Sequence, residues 1–235
     1  MERARRLQQP GSAHHGGGWR SSRAGPAAGR RPPLSVIADD DASAAGPLVL
    51  VDISGYTSYV AETELTHSQI LVAELLDSVL QSMGKHLEAS SVEGDAVFFV
   101  GRSTGPELMG WFDETYLAFH RRLRDVVTER AVHCPCQACV RAPMLTVKAI
   151  AHHGKYSRFR VGLVEQLHGA DVVVPHRLAK NHVPSHEYVL ATAAVLKRLL
   201  PEQAAGFTRM EEEVTDLGML SFGYRDLSPL RAQLK

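Results

Sequence analysis

The sequence predicts an α+β domain of ferredoxin-like type, a sheet of connectivity βαββαβ with helices covering one face. Three observations predict it. From Pro47 onward, apolar runs of strand length and helical stripes follow one another as strand, helix, strand, strand, helix, strand. The middle two strands are joined by the short glycine-containing link Glu93-Gly94-Asp95, which suits a hairpin. Both helical stripes are one-sided, so one sheet face is enough to bury each of them.

The first strand is Pro47 to Ile53, reading P-L-V-L-V-D-I and stopped by Ser54 and Gly55. Its short, β-branched apolar run is that of a buried strand, and it carries the carboxylate of Asp52 at its C-terminal end. A helix over Ser68 to His86 follows, because Val72, Leu75, Leu76, Val79, Leu80 and Met83 draw one stripe. Leu87 to Ser91 and Ala96 to Val100 form the hairpin, with Asp95 at the start of its second strand. The second helix, Pro106 to Val132, opens with Thr104 and Glu107 at capping-box spacing and repeats Leu108, Phe112, Thr115, Phe119, Leu123 and Val126 on one face. A cysteine loop leads to a strand at Leu145 to His152. A strand or arm at Phe159 to Leu167, a helix at Val172 to Asn181, the segment Tyr188 to Ala191, a short helix at Ala193 to Leu200 and the stretch Val214 to Tyr224 complete a domain over 47–235.

Residues 1–46 read differently. Arg, Gly, Pro, Ala and Ser dominate them, Asp39 to Asp41 are consecutive aspartates, and no apolar period is present. Such a segment buries too little apolar surface to offset the entropy of ordering, which predicts a disordered tail. With 26 basic and 26 acidic residues the net charge is zero, so no field gathers nucleic acid over the whole surface. No apolar run approaches the roughly 18 residues of a membrane span, and polar, Gly-rich sequence follows Arg5 and Arg6 where a signal peptide would be apolar. A cytoplasmic protein is expected, with no membrane and no nucleic acid among its partners. Its three cysteines, Cys134, Cys136 and Cys139, fit a reducing compartment better than a disulfide framework.

Chemistry gathers at two segments, Val51-Asp52-Ile53-Ser54-Gly55-Tyr56-Thr57 and Glu93-Gly94-Asp95-Ala96-Val97-Phe98. Each sets one aspartate on one of two adjacent predicted strands. Hard divalent cations prefer carboxylate oxygen, and a metal pair can activate a hydroxyl and stabilise a leaving pyrophosphate. Gly55, Tyr56 and Thr57 open toward a helix, where free N–H groups can receive phosphate oxygens. Singly, an Asp ending a strand also caps turns, and Gly-Asp is a common hairpin sequence.

Together the two segments resemble the metal-binding motifs of the class III adenylyl and guanylyl cyclases. The resemblance implies that Asp52 and Asp95, with the backbone carbonyl of Ile53, bind Mg²⁺ or Mn²⁺ on a nucleoside triphosphate, ATP or GTP. It extends across most of Pro47 to Asn181. Lys148-Ala149-Ile150-Ala151-His152-His153-Gly154 is similar to the family strand that ends in His-x-Gly. Gly169-Ala170-Asp171-Val172-Val173-Val174-Pro175-His176-Arg177-Leu178 resembles the helix start that bears the transition-state Asn and Arg. Arg177 matches the catalytic arginine, whereas Val173 stands where the ribose-orienting asparagine would be. At the purine-reading positions Ser91 replaces the usual lysine and Gln166 stands near the usual Asp or Thr. Gly169 follows Gly154 by 15 residues, a span shorter than the family's dimer arm normally takes. The pattern is similar to a bacterial cyclase-homology group known chiefly as a domain of unknown function, in which the segments matching Asp52 to Thr57, Cys134 to Cys139 and His176 to Asn181 occur together. The family implies a homodimer with its site between subunits. Three readings follow: a nucleotide- and metal-binding domain that is weak or inactive as a cyclase and acts in signalling or regulation, an active adenylate or guanylate cyclase, or a zinc-stabilised interaction domain.

The loop His133-Cys134-Pro135-Cys136-Gln137-Ala138-Cys139 holds three thiols within six residues. They can converge on one zinc ion, with His133, His152 or His153 as the fourth ligand, or remain reduced loop thiols. His152 and His153 are adjacent on a strand and point to opposite faces, so at most one of them joins the cysteines. Arg177 and Lys180 lie three apart on one helix face, which makes either a solvated face or a phosphate clamp.

Overall fold

The computed structural model describes residues 43–131 and 133–234. Residues 1–42 of the expected tail, and Val132 at the end of the expected second helix, lie outside the described residues. The sheet has eight strands: β1 (Ala44–Ser54), β2 (Glu88–Glu93), β3 (Ala96–Val100), β4 (Thr146–Val161), β5 (Val164–His168), β6 (Tyr188–Thr192), β7 (Thr208–Val214) and β8 (Gly218–Asp226). The helices are α1 (Tyr56–Ala61), α2 (Leu65–Met83), α3 (Leu108–Ala131), α4 (Gln137–Arg141), α5 (Ala170–Leu178), α6 (Ala193–Leu196) and α7 (Pro201–Ala205). No helix among the described residues is long and apolar enough to cross a membrane.

Strand order is β2-β3-β1-β4-β6-β8-β7, with β5 paired to the outer half of β4. The first four strands are the expected ferredoxin-like unit: β1 lies between β3 and β4 and is antiparallel to both. β6 then joins parallel to β4. Because side chains alternate along a strand, Val49, Val51 and Ile53 enter the core beneath the two long helices, where Leu75, Val79, Phe112 and Phe119 meet them. Leu48 and Leu50 face the other way, toward Phe98, Ile150, Val174 and Leu178. Thus α2 and α3 cover one face as predicted, while the nine-residue α5 lies on the opposite face over β4 and β1.

Several boundaries move. β1 begins at Ala44, three residues inside the expected tail, because backbone pairing to Tyr156, Lys155 and Gly154 continues where the side chains become small. α2 starts at Leu65 rather than Ser68. The hydroxyl of Thr104 meets His153 Nδ1 at 2.8 Å, and the first N–H groups of α3 turn back onto Gly105 and Pro106. The largest difference is β4, which runs 16 residues instead of stopping at His152. Its outer half, Ser157 to Val161, pairs with β5 around Gly162, so the expected arm at Phe159 to Leu167 is the far end of one hairpin. The stretch expected at Val214 to Tyr224 is likewise the turn and second strand of the β7–β8 hairpin, closed by Asp216 and Gly218 at positive φ. Asp and Gly are residues that tolerate that conformation.

Candidate functional site

Asp52 is the ninth residue of β1 and shares the orientation of Leu48 and Leu50, pointing away from the helix-covered core. Asp95 closes the β2–β3 hairpin, and its carbonyl accepts the Ile53 N–H at 3.1 Å, which draws the hairpin onto the end of β1. The two carboxyls are near enough that each alters the other's proton affinity. Burial pushes Asp52 up to about 6; Lys148 opposes that rise and the neighbouring charge of Asp95 adds to it. Asp95 is raised as well, chiefly by burial. Lys148 stands directly across from Asp52 in the β1–β4 register. Its Nζ lies 3.4 Å from Asp52 Oδ2 and donates to the Ala179 carbonyl at the end of α5 at 3.1 Å. Two carboxylates thus face one lysine, a cluster with one negative charge in excess.

Gly55 follows as the N-cap of α1 with φ +88°, a conformation that glycine adopts at little cost. Tyr56 is half-buried and lines a groove of about 260 Å³ with Val60, Leu65, Val72 and Gly94, while Thr57 is exposed. Arg177 does not join the aspartates: it lies in a separate cleft of about 650 Å³ between α5 and β7, with Val173, His176, Lys180 and Glu212. There its Nη2 pairs with Asp216 at 3.1 Å. Ser91 and Gln166, distant in sequence, line one further cavity of about 250 Å³ with Phe98, Glu93 and His176. The Ser91 hydroxyl donates to Glu93 at 2.7 Å, and His176 Nδ1 lies 3.3 Å from the same carboxylate.

The His152-His153-Gly154 segment anchors α5. A side chain on Gly154 would fall 2.2 Å from Asp171 Cβ, so glycine is required for the first turn of α5 to approach β4 this closely. Asp171 then accepts the Lys155 N–H at 2.6 Å and lies 3.3 Å from His152 Nε2. His152 Nδ1 in turn meets Thr192 Oγ1 at 2.9 Å. Burial lowers the proton affinity of His152, although Asp171 works against it.

The cysteine loop lies elsewhere, and its histidine partner differs from those expected. Cys134, Cys136 and Cys139 gather with His67, near the start of α2, all four ligand atoms lying within 4.8 Å of one another. His67 Nδ1 is 3.1 Å from Cys136 Sγ and 3.4 Å from Cys134 Sγ. His152 and His153 are excluded because their rings are engaged with Asp171, Thr192 and Thr104. His133 precedes the turn into the loop, is exposed, and is not in the group. The Cys134 thiol is held below its ordinary range, first by the backbone N–H of Cys136, and burial pushes Cys139 up to about 12.

Two residues escaped the sequence reading. Lys148 had a signal: a lysine inside the apolar run Val147 to Ala151 must find a carboxylate or reach solvent. His67 had none, being an exposed residue at a helix start, 67 residues before the first cysteine.

Compared with known proteins, residues 72–188 match the family model described as Protein of unknown function (DUF2652). The chain is 28% identical over 157 residues to the Mycobacterium tuberculosis protein named Uncharacterized protein Rv2561/Rv2562, covering 67% of this chain and 74% of that one. Among solved structures it resembles a bacterial light-regulated adenylyl cyclase with a TM-score of 0.59 and 16% identity, over 86% of this chain and 59% of that one. The chain therefore spans less than two thirds of that cyclase. It also resembles the guanylyl cyclase Cya2, with a TM-score of 0.58 and 10% identity over 77% of this chain and 91% of that one. A third likeness is to the guanylate cyclase domain of RhGC from Catenaria anguillulae in complex with GTP, with a TM-score of 0.51 and 12% identity over 78% and 95%. These are likenesses of fold, and the fold is that of the adenylyl and guanylyl cyclase catalytic domains, as the two acidic motifs predicted.

Proposed function

We propose that the chain is a divergent cyclase-like domain that binds ATP or GTP together with Mg²⁺ or Mn²⁺, closes the cyclic phosphodiester slowly or not at all, and acts in signalling or regulation in the cytoplasm. The convergence of Asp52 and Asp95 carries this reading. Two partly buried carboxylates sharing one lysine hold their protons above the ordinary range. A divalent cation would displace those protons and remove the excess negative charge. Asp52, Asp95 and the Ile53 carbonyl would hold it, and the bound ion would supply charge neutralisation to the triphosphate. The N–H groups of Gly55, Tyr56 and Thr57, at the start of α1, would receive phosphate oxygens.

The aspartates and Arg177 line different parts of one chain. A homodimer would bring the Arg177 cleft of one copy toward the acidic pair of the other, and Arg177 would then act on the triphosphate. Slow ring closure follows from the positions that would orient ribose and base. Val173 has no group to hydrogen-bond a ribose. Ser91 is short and already donates to Glu93.

The test is incubation with Mn²⁺ and ATP or GTP, with products resolved by chromatography and the oligomeric state measured by light scattering. The expected result is a dimer that retains triphosphate and yields little cyclic product. Rapid cyclic nucleotide formation, abolished by Asp52→Ala with the fold intact, would replace this reading with an active cyclase. A monomer at high concentration would remove the composite site.

A further inference from the structure

We propose that His67, Cys134, Cys136 and Cys139 form a closed, structural zinc site that fastens the loop after α3 to the start of α2. The convergence itself is the first argument. Three ligands come from one short loop, but the fourth comes from a helix 67 residues earlier, and the fold brings its ring nitrogen to 3.1 and 3.4 Å from two of the sulfurs. Tetrahedral zinc, with Zn–S of about 2.3 Å and Zn–N of about 2.0 Å, sets its ligand atoms roughly 3.5–3.8 Å apart. A group confined within 4.8 Å needs only small side-chain rotations to reach that geometry.

The donor chemistry selects the metal. Three thiols and an imidazole are a soft set, suited to zinc and ill-suited to the hard cations that carboxylates bind. Four protein ligands leave no open position, which marks a structural centre rather than a catalytic one. On binding, the three thiols would give up their protons to solvent and the imidazole would bind as the neutral ring. The odd number of thiols also leaves at least one without a disulfide partner, and all three are free.

The surroundings show what the ion would hold. Cys136 is the N-cap of α4, and Cys139 lies within that helix. The buried Tyr59 hydroxyl donates to the Ala138 carbonyl at 2.9 Å. Glu64 accepts the N–H groups of Gln137 and Ala138 at 3.1 and 3.0 Å, and Arg141 pairs with Glu62. The bonds of Gln137, Ala138 and Arg141 tie α4, which carries Cys139, to Tyr59 of α1 and to Glu62 and Glu64 in the link between α1 and α2. His67 lies just beyond that link, so zinc would close the clamp at its far end.

The experiment uses the full chain purified without added metal. We expect about one zinc per chain by elemental analysis. The cobalt-substituted protein should show thiolate-to-cobalt charge transfer and the strong visible bands of tetrahedral coordination. His67→Ala should weaken metal binding by more than the roughly 10- to 100-fold that loss of an outer-shell partner costs, whereas His133→Ala should leave it unchanged. A folded wild-type chain that takes up neither zinc nor cobalt through sulfur would overturn the proposal, as would loss of the cobalt bands in His133→Ala but not in His67→Ala. Should Cys136→Ser fail to fold, the wild-type metal content and cobalt spectrum still decide. None of these readouts involves nucleotide, so the outcome is independent of the nucleotide reading.

Discussion

Beneath α2 and α3 the sheet buries Val49, Val51 and Ile53 of β1 against Leu75, Phe112 and Phe119, while the opposite side of the same strand presents Leu48, Leu50 and then Asp52, with Asp95 and Lys148 beside it. One strand serves both purposes because its side chains alternate. The helix-covered face is dominated by apolar groups, and the buried polar groups His120, Thr115 and Ser82 on it meet hydrogen-bond partners. His120, the buried imidazole of α3, contacts Thr146 at 3.1 Å, next to a Glu187 that also takes Tyr116 and Arg231. The opposite face keeps an acidic pair that burial disfavours. On the covered face the buried imidazole sits among partners that satisfy it, whereas the opposite face holds two like-charged carboxyls whose proton affinity burial raises.

The largest expected effect is on the covered face. Phe119 is fully buried, and Phe119→Ala should cost about 3–5 kcal/mol in urea unfolding; a cost below about 1 kcal/mol would mean that this face is not the core. His120 comes next. Burial, with Arg231 assisting and Glu187 opposing, lowers its pKa to about 4, while the unfolded chain protonates near the ordinary 6.5. The folded state therefore binds fewer protons over that window, and stability should fall as pH drops from about 6.5 through 4, by up to roughly 3 kcal/mol at 1.36 kcal/mol per unit. His120→Asn should flatten that slope.

Asp52 should give the opposite sign over an overlapping window. Its folded pKa of about 6 lies above its ordinary 3.8, so the native state holds a proton that the unfolded chain has released. Stability should fall as pH rises from about 4 to 6 and stay low above that. Asp52→Asn, which mimics the protonated carboxyl, should then be more stable than wild type at pH 8 by up to about 2–3 kcal/mol, and no more stable at pH 4. A destabilised Asp52→Asn at pH 8 would show that the Lys148 pair outweighs burial. Smaller still is Gly154→Ala, which forces Asp171 off β4 and should cost roughly 1–3 kcal/mol, measured as a shift in denaturation midpoint; an unchanged midpoint would show that α5 is held by other contacts.

The same contrast explains what could be read from the sequence. β1 and β3 are buried on both sides and read as continuous apolar runs, while α2 and α3 bury one side and read as stripes, so the apolar pattern located them within a few residues. The outer half of β4, β5 and the turn between them bury little, with Val161, Leu163 and Val164 exposed, so the arm expected at Phe159 to Leu167 carried no burial pattern to fix its strand ends or its turn. The hairpin of β7 and β8 was partly hidden for a related reason, since Glu211, Glu212 and Glu213 occupy the edge strand. Asp52 and Asp95 stand out in the sequence because each is a carboxylate beside an apolar run, and the structure sets the first near the end of β1 and the second in the β2–β3 turn. His67 does not stand out, because only the tertiary fold brings α2 to the cysteine loop, and Lys148 acquired meaning only once the β1–β4 register set it opposite Asp52.

The acidic pair is tested most directly by calorimetric titration of ATP or GTP into the full chain with Mn²⁺, comparing wild type with Asp52→Asn and Asp95→Asn at pH 8. Saturable, Mn²⁺-dependent binding that both substitutions abolish, and that weakens about tenfold per pH unit below about 6 as one proton competes with the ion, is the predicted result. Failure of wild type to bind either nucleotide, or binding that survives both substitutions, would contradict it.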